Sequence, residues 1–279
     1  MRGSRTIASG SGEAASVKLY CGQTLSLLRE GGVDAGVLED SDVVHAGLKG
    51  ACVALYPYNP HVNQAELRAL QRFTTAGGKL MFFYTLPPGA GTLIGVEKEA
   101  WKRPEPDGQF HSIGLDRQVC PALPERIVQG SWNALVPRLV DDRTRVIGRW
   151  IDADGRPTGI PALTLHPNGV FMGHVLTNAD ADAKCRMMMA LLARLSPDLR
   201  AELSYNLLRG ISRINDLQTF EDVGAFIRAQ AGRVSHDRLA EAVRHYEEAK
   251  QISLRALHAS KQDDFAATLT LSRSARARL

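Results

Sequence analysis

The clearest pattern in the chain lies between residues 51 and 84, where two short apolar runs enclose one amphipathic segment. Ala51-Cys-Val-Ala-Leu-Tyr56 is an unbroken apolar run of strand length, closed by Pro57-Tyr-Asn-Pro-His61, whose prolines forbid helix and predict an exposed loop. Asn63 can cap a helix with Glu66 three residues on, and Leu67, Leu70 and Phe73 then share one face. Gly77-Gly78 ends that helix, and Lys79-Leu-Met-Phe-Phe-Tyr84 reads as a second buried strand before a further proline loop. Strand, helix and strand in about thirty residues make a βαβ unit with a right-handed crossover and a parallel pair. Ligands of such sheets sit beyond the carboxyl ends of the strands, so the loops 57–61 and 85–91 are where function is expected.

Upstream, Val17-Lys-Leu-Tyr20 reads as a strand that leads through Cys21-Gly-Gln-Thr into a helix carrying Leu25, Leu27 and Leu28 and ending at Gly31-Gly32. Asp34-Ala-Gly-Val-Leu38 reads as another strand, with Glu39-Asp-Ser-Asp42 capping the segment that follows. The repeat predicts an α/β fold with a doubly wound, mostly parallel sheet. Past Thr85 the rhythm changes. Gly91 to Val96 reads as a short helical turn, 101–107 as a surface loop rich in proline and charge, and 131–139 as a turn or short helix between strands at 126–128 and 143–152. Asp154-Gly155 signals a hairpin, 162–165 and 169–174 form the next strand pair, and 180–195 is a helix with Met187, Met188 and Met189 on an apolar face. From Pro197 the pattern is helical throughout, and Leu239, Val243, Tyr246 and Ile252 form a stripe suited to a helical hairpin.

This predicts a disordered glycine- and serine-rich arm over 1–16, an α/β domain over 17–196, and a helical linker or hairpin over 197–279. The hydrophobic content of 44% sustains a core without disulfides or metals. The four cysteines, Cys21, Cys52, Cys120 and Cys185, show no CxxC pair, so neither a zinc site nor another cofactor is expected. A net charge of +4, with 34 basic against 30 acidic residues and no basic stripe interleaved with aromatics, argues against a nucleic-acid partner. No apolar run reaches spanning length and the amino end lacks a signal-peptide core, so no membrane partner is expected.

Several stretches resemble glutamine-amidotransferase-like domains of bacterial carbohydrate metabolism: Leu28-Arg-Glu-Gly-Gly-Val-Asp34, Gly47-Leu-Lys-Gly50, Tyr56-Pro-Tyr-Asn-Pro60, Ala76-Gly-Gly-Lys-Leu80 and Gly169-Val-Phe-Met-Gly-His174. More narrowly, the chain is similar to the amino-terminal part of large family-10-like glycosyl hydrolases, in which such a flavodoxin-like domain and a helical linker precede a TIM barrel. The resemblance implies a class I amidotransferase fold, an intramolecular hydrolase-like domain as partner, and a barrel with the hydrolytic carboxylates beyond Leu279. It implies an extracytoplasmic location if the parent is secreted. Class I amidotransferases place a cysteine in a sharp elbow after a strand and a histidine followed shortly by glutamate. Here Thr85-Leu-Pro-Pro-Gly89 follows the strand and Val175-Leu-Thr follows His174, so glutaminase activity is expected to be lost.

Among the residues themselves, Cys21 and His174 fall at predicted strand ends, and a thiol–imidazole pair is the one candidate for catalysis, set against buried structural roles for both. Tyr58, Asn59 and His61 offer an aromatic face and hydrogen-bonding groups for a carbohydrate or other small polar ligand, set against a rigid proline-bracketed turn. With Cys21, Glu39, Thr85 and His174 they form the expected ligand-binding edge. Three functions follow in order of preference: a non-catalytic amidotransferase-like module that packs beside, or binds sugar for, a glycosyl hydrolase; a small hydrolase using Cys21 and His174; or a pure scaffold or oligomerisation domain.

Overall fold

A computed structural model describes residues 1–3, 7–8 and 12–279. The chain forms two units, one of Met1–Glu30 with Asp34–Pro197, the other of Gly31–Val33 with Asp198–Leu279. In the first, α1 (Ala14–Glu30) and α2 (Asp40–His45) precede β1 (Val53–Tyr56), α3 (Gln64–Thr75) and β2 (Lys79–Phe83). After a 3-10 turn (Gly91–Ile94) come β3 (Val96–Lys102), β4 (Ser112–Leu115), β5 (Arg126–Val128), β6 (Ala134–Leu139), β7 (Arg145–Ile151), β8 (Pro157–His166), β9 (Gly169–Met172) and α4 (Ala181–Leu195).

Seven strands make one sheet in the order β1-β2-β9-β8-β7-β4-β5, and β3 pairs with β6 in a separate two-stranded sheet. β1, β2 and β9 run parallel, whereas every pairing from β9 through β8, β7 and β4 to β5 is antiparallel. The sheet is therefore mixed, and the expectation of a doubly wound, mostly parallel sheet is corrected. The physical reason is connection length. The tight turn between β8 and β9 and the hairpin at Asp154-Gly155 are too short for a crossover, so they impose antiparallel neighbours.

The βαβ unit forms as its pattern requires. Asn63 accepts the Glu66 backbone N–H at 2.8 Å, and Leu67 and Leu70 are buried against Tyr56, Leu80 and Phe82. Glycine is obligatory at position 169: a Cβ there would collide with the Leu80 carbonyl oxygen of the adjacent strand. Met187, Met188 and Met189 are fully buried in α4.

Three local expectations are overturned. Val17-Lys-Leu-Tyr20 lies inside α1, because the buried residues Val17, Cys21, Thr24, Leu27 and Leu28 repeat at helical spacing and draw the stretch into one continuous stripe. Residues 34–38 form no strand. They are tethered instead where Arg2 N–H donates to the Leu38 carbonyl and Arg2 bridges to Glu39. Trp101 belongs to β3, and 134–139 to β6, because those two segments pair with each other from Val96–Leu139 to Lys102–Ala134. At the amino end, the Met1 amino group is buried and donates to the Leu55 carbonyl at 2.6 Å, so the free arm does not hold there; the remainder of 1–16 falls partly outside the described residues.

The second unit contains α5 (Arg200–Gly210), α6 (Phe220–Ala229), α7 (His236–Lys261) and α8 (Phe265–Arg276). Thr219, Ser235 and Asp264 cap α6, α7 and α8 through side-chain oxygens. A short turn with Asp263 in the left-handed region joins α7 and α8 into a hairpin. Its buried positions include Ala249, Ala256, Ala259, Phe265, Leu269 and Ala275, whereas Val243 of the expected stripe is exposed.

Candidate ligand-binding site

Because β1, β2 and β9 are parallel, the loops that follow them emerge at one edge of the sheet. After β1 comes Tyr58, whose phenol donates to Glu13 Oε2 at 2.5 Å. Burial together with this carboxylate drives the phenol pKa well above its ordinary value. The neighbouring Asn59 is buried; its Nδ2 donates to Asp40 Oδ1 at 3.0 Å and its carbonyl accepts from Thr85 Oγ1 at 3.2 Å. Asn59 and Thr85 thus fasten the β1 and β2 loops to each other.

β2 runs directly into Tyr84, which holds φ at +66°. A bulky side chain in the left-handed region is a local outlier, typical of a sharp turn at a functional edge. The turn is pinned on both sides, by Tyr84 N–H donating to the Met172 carbonyl at 2.8 Å and Thr85 N–H to the Phe83 carbonyl at 2.7 Å. Tyr84 is the hub of an aromatic cluster. Tyr58 stacks on it at 5.8 Å, and Trp101 and His174 meet it edge-on at 4.7 and 4.9 Å. Tyr20 packs edge-on against Tyr58 at 5.7 Å, and Trp132 against His174 at 4.3 Å. Burial raises the Tyr84 phenol pKa, against the opposing pull of the Asn133 and Trp132 side chains. The pair β3 and β6 supplies Trp101 from within a strand and Trp132 from just before one. Both indoles stay open to solvent, at 44% and 51% of full exposure.

His174 follows β9 through Gly173, where a Cβ would lie 2.5 Å from the Leu135 carbonyl oxygen. Gly173 is held between strands, its N–H donating to Ala162 and its carbonyl accepting from Leu135 at 2.8 and 2.9 Å, which fixes the direction of the next residue. The His174 ring is fully buried, with Nδ1 3.1 Å from the Val175 carbonyl oxygen and 3.2 Å from Gln129 Nε2. Burial pulls its pKa down to about 4, with the Lys184 charge adding to the effect against the opposing pull of the Val175 carbonyl. The imidazole is therefore neutral at pH 7.

The structure thus gathers Tyr58, Asn59, Thr85 and His174 of the expected residues at this edge. The others stand elsewhere or are used differently. Cys21 is buried in α1 rather than at a strand end, and the rings and polar groups around His174 are Tyr84, Trp132 and Gln129, so no thiol–imidazole pair forms among the described residues. Glu39 begins α2, accepts from Arg2, and its backbone N–H donates to Asp42 Oδ2 at 2.8 Å. His61 is exposed. Among the described residues no cluster of His, Cys, Asp and Glu is arranged to hold a metal. The reading from sequence missed Tyr20, Tyr84, Trp101, Trp132 and Gln129. Tyr84 carried a signal, as the aromatic that ends a buried strand next to a proline loop.

No family model matches the chain, and no curated protein sequence matches it. Among solved structures, the chain is similar to a ThuA-like protein from Bacteroides uniformis ATCC 8492, with a TM-score of 0.46 and 12% identity over 63% of this chain and 84% of that one.

Proposed function

We propose that the sheet-bearing unit is a non-catalytic, amidotransferase-like module that binds a sugar or a similar small polyhydroxylated ligand at the carboxyl edge of β1, β2 and β9. The observation that supports this reading is the aromatic cluster around Tyr84, with the Trp101 and Trp132 indoles left half open to solvent. Pyranose rings present apolar C–H faces that stack on such surfaces while their hydroxyls meet polar side chains. The sharp turn after β2 carries Tyr84, and Thr85-Leu-Pro-Pro-Gly89 follows it, so no cysteine stands in the place where an amidotransferase has its nucleophile. The groups around the His174 ring are Gln129, the Val175 carbonyl, Tyr84 and Trp132, so among the described residues no thiol is paired with it as an activated nucleophile. In the same reading the module accompanies a glycosyl-hydrolase-like domain in a longer parent, with the helical unit as linker.

Calorimetric titration with maltotriose, cellotriose and xylotriose tests the proposal. A few stacking and hydrogen-bonding contacts predict dissociation constants on the order of high micromolar to millimolar for at least one of them. Binding that is lost in Trp132→Ala, with no release of ammonia from glutamine and no glycoside cleavage, is the expected result. Glutaminase turnover abolished by Cys21→Ser would favour the hydrolase, and no binding to any sugar would leave the scaffold.

A further inference from the structure

We propose that Gln129 Oε1 and His174 Nε2 form an acceptor-only floor beneath Trp132 that accepts hydrogen bonds from two neighbouring hydroxyl groups of the ligand, so that the site selects diols and rejects anions. The proposal rests on the ligand-binding reading and narrows it to a class of ligand. Its geometry follows from one carbonyl. The Val175 oxygen can only accept, and it lies 3.1 Å from His174 Nδ1, so Nδ1 carries the proton and donates. Nε2 is then a bare lone pair. The Gln129 amide nitrogen donates to the same Val175 oxygen, which fixes the orientation of that side chain and leaves Oε1 at its other end. The 3.2 Å approach of Gln129 Nε2 to His174 Nδ1 is thus two donors converging on one acceptor.

Neither Oε1 of Gln129 nor Nε2 of His174 has a hydrogen-bond partner among the described residues, although Gln129 is 1% exposed and His174 fully buried. A buried acceptor left unmet is costly, so two on adjoining side chains at the ligand edge form an arrangement that a bound donor would relieve. Asn133 Oδ1, on the residue after Trp132, is a third acceptor without a partner among the described residues. Acceptors alone repel a carboxylate or phosphate and reward O–H groups. Trp132 packs edge-on over the His174 ring at 4.3 Å, so its indole must shift when a ligand reaches the floor.

Long-range proton–nitrogen NMR of the imidazoles in the uniformly labelled full chain tests this, with D-glucose, cis-1,2-cyclohexanediol, cyclohexanol and acetate as probes. The free protein should show a protonated Nδ1 and a bare Nε2 at His174. Glucose and the diol should move Nε2 in the direction of an accepted hydrogen bond while Nδ1 stays in place, acetate should do nothing, and the diol should bind about tenfold tighter than cyclohexanol. Gln129→Met should remove about that tenfold preference, and the nitrogen shifts of the unaltered chain carry the test if this variant does not fold. A proton on Nε2 in the free protein overturns the proposal. Glucose that shifts the Trp101 and Trp132 signals without moving Nε2 overturns the floor but leaves the binding site standing. No change at any of these residues with any probe overturns both.

Discussion

Acidification from pH 7 to pH 4 should destabilise the sheet-bearing unit through His174 by about 3 kcal/mol. An ordinary imidazole titrates at 6.5 and the buried one is held to about 4, a gap worth about 3 kcal/mol of folding free energy. The sign follows from which state takes the proton first. The unfolded chain protonates His174 as pH falls through 6.5, whereas the folded chain resists until about 4. The stability this histidine contributes is therefore complete above 6.5, is lost progressively between 6.5 and 4, and changes no further below that. His166 is also pushed down by burial and adds loss in the acid range, so the His174 share must be taken as a difference between variants. The three tryptophans, Trp101, Trp132 and Trp150, all belong to the sheet-bearing unit, and urea unfolding followed by their fluorescence reports that unit by itself. His174→Gln keeps an N–H able to reach the Val175 carbonyl and has nothing to titrate. The gap in stability between the unaltered chain and this variant should shift by about 3 kcal/mol between pH 7 and pH 4. Parallel loss in the two chains, or a His174 ring that titrates near 6.5 by NMR, would refute the reasoning.

Three further outcomes are expected. Gly169→Ala should destabilise the same unit by at least about 1–3 kcal/mol in urea, because the added methyl meets the Leu80 carbonyl, and unchanged stability would contradict the β2–β9 register. Lys184→Met removes an ammonium that donates to the Thr177 carbonyl and hydroxyl at 2.8 Å and to the Ala179 carbonyl at 2.6 Å; it should cost about 1–3 kcal/mol and speed amide exchange around residues 177–180, and unaltered exchange would argue against that bracing. Tyr84→Gly suits the +66° backbone better yet deletes the centre of the aromatic cluster, so it should fold normally by circular dichroism while sugar binding disappears; retained binding would remove Tyr84 from the site.

Much of this architecture was legible where a pattern is local. The run from Ala51 to Tyr84 carries its own strand lengths, cap and glycine stops, and it folds as β1, α3 and β2. The β8–β9 hairpin, α4 and the helices after Pro197 carried equally local signals. Val17-Lys-Leu-Tyr20 misled because four residues cannot distinguish an apolar strand from one turn of a longer amphipathic helix, and only the spacing through Leu28 decides it. The sheet was read as more parallel than it is because a strand's direction depends on its partner, which a run of apolar residues does not state. The placement of Tyr58, Asn59, Thr85 and His174 at one edge of the sheet could be read from the strand ends. That of Trp101 and Trp132 could not, because they reach the edge on a second small sheet whose pairing joins segments far apart in the chain.

The central claim, a sugar-binding aromatic edge, is tested most directly by the indole region of a proton–nitrogen spectrum, where the three tryptophans give three signals. Trp101 and Trp132 lie at the edge, half exposed, and Trp150 is fully buried against Phe110, so it serves as an internal control. Titration with the trisaccharides should move the Trp101 and Trp132 signals saturably and leave Trp150 in place. Shifts at Trp150 alone, or three stationary signals up to the solubility limit of every sugar, would contradict the account.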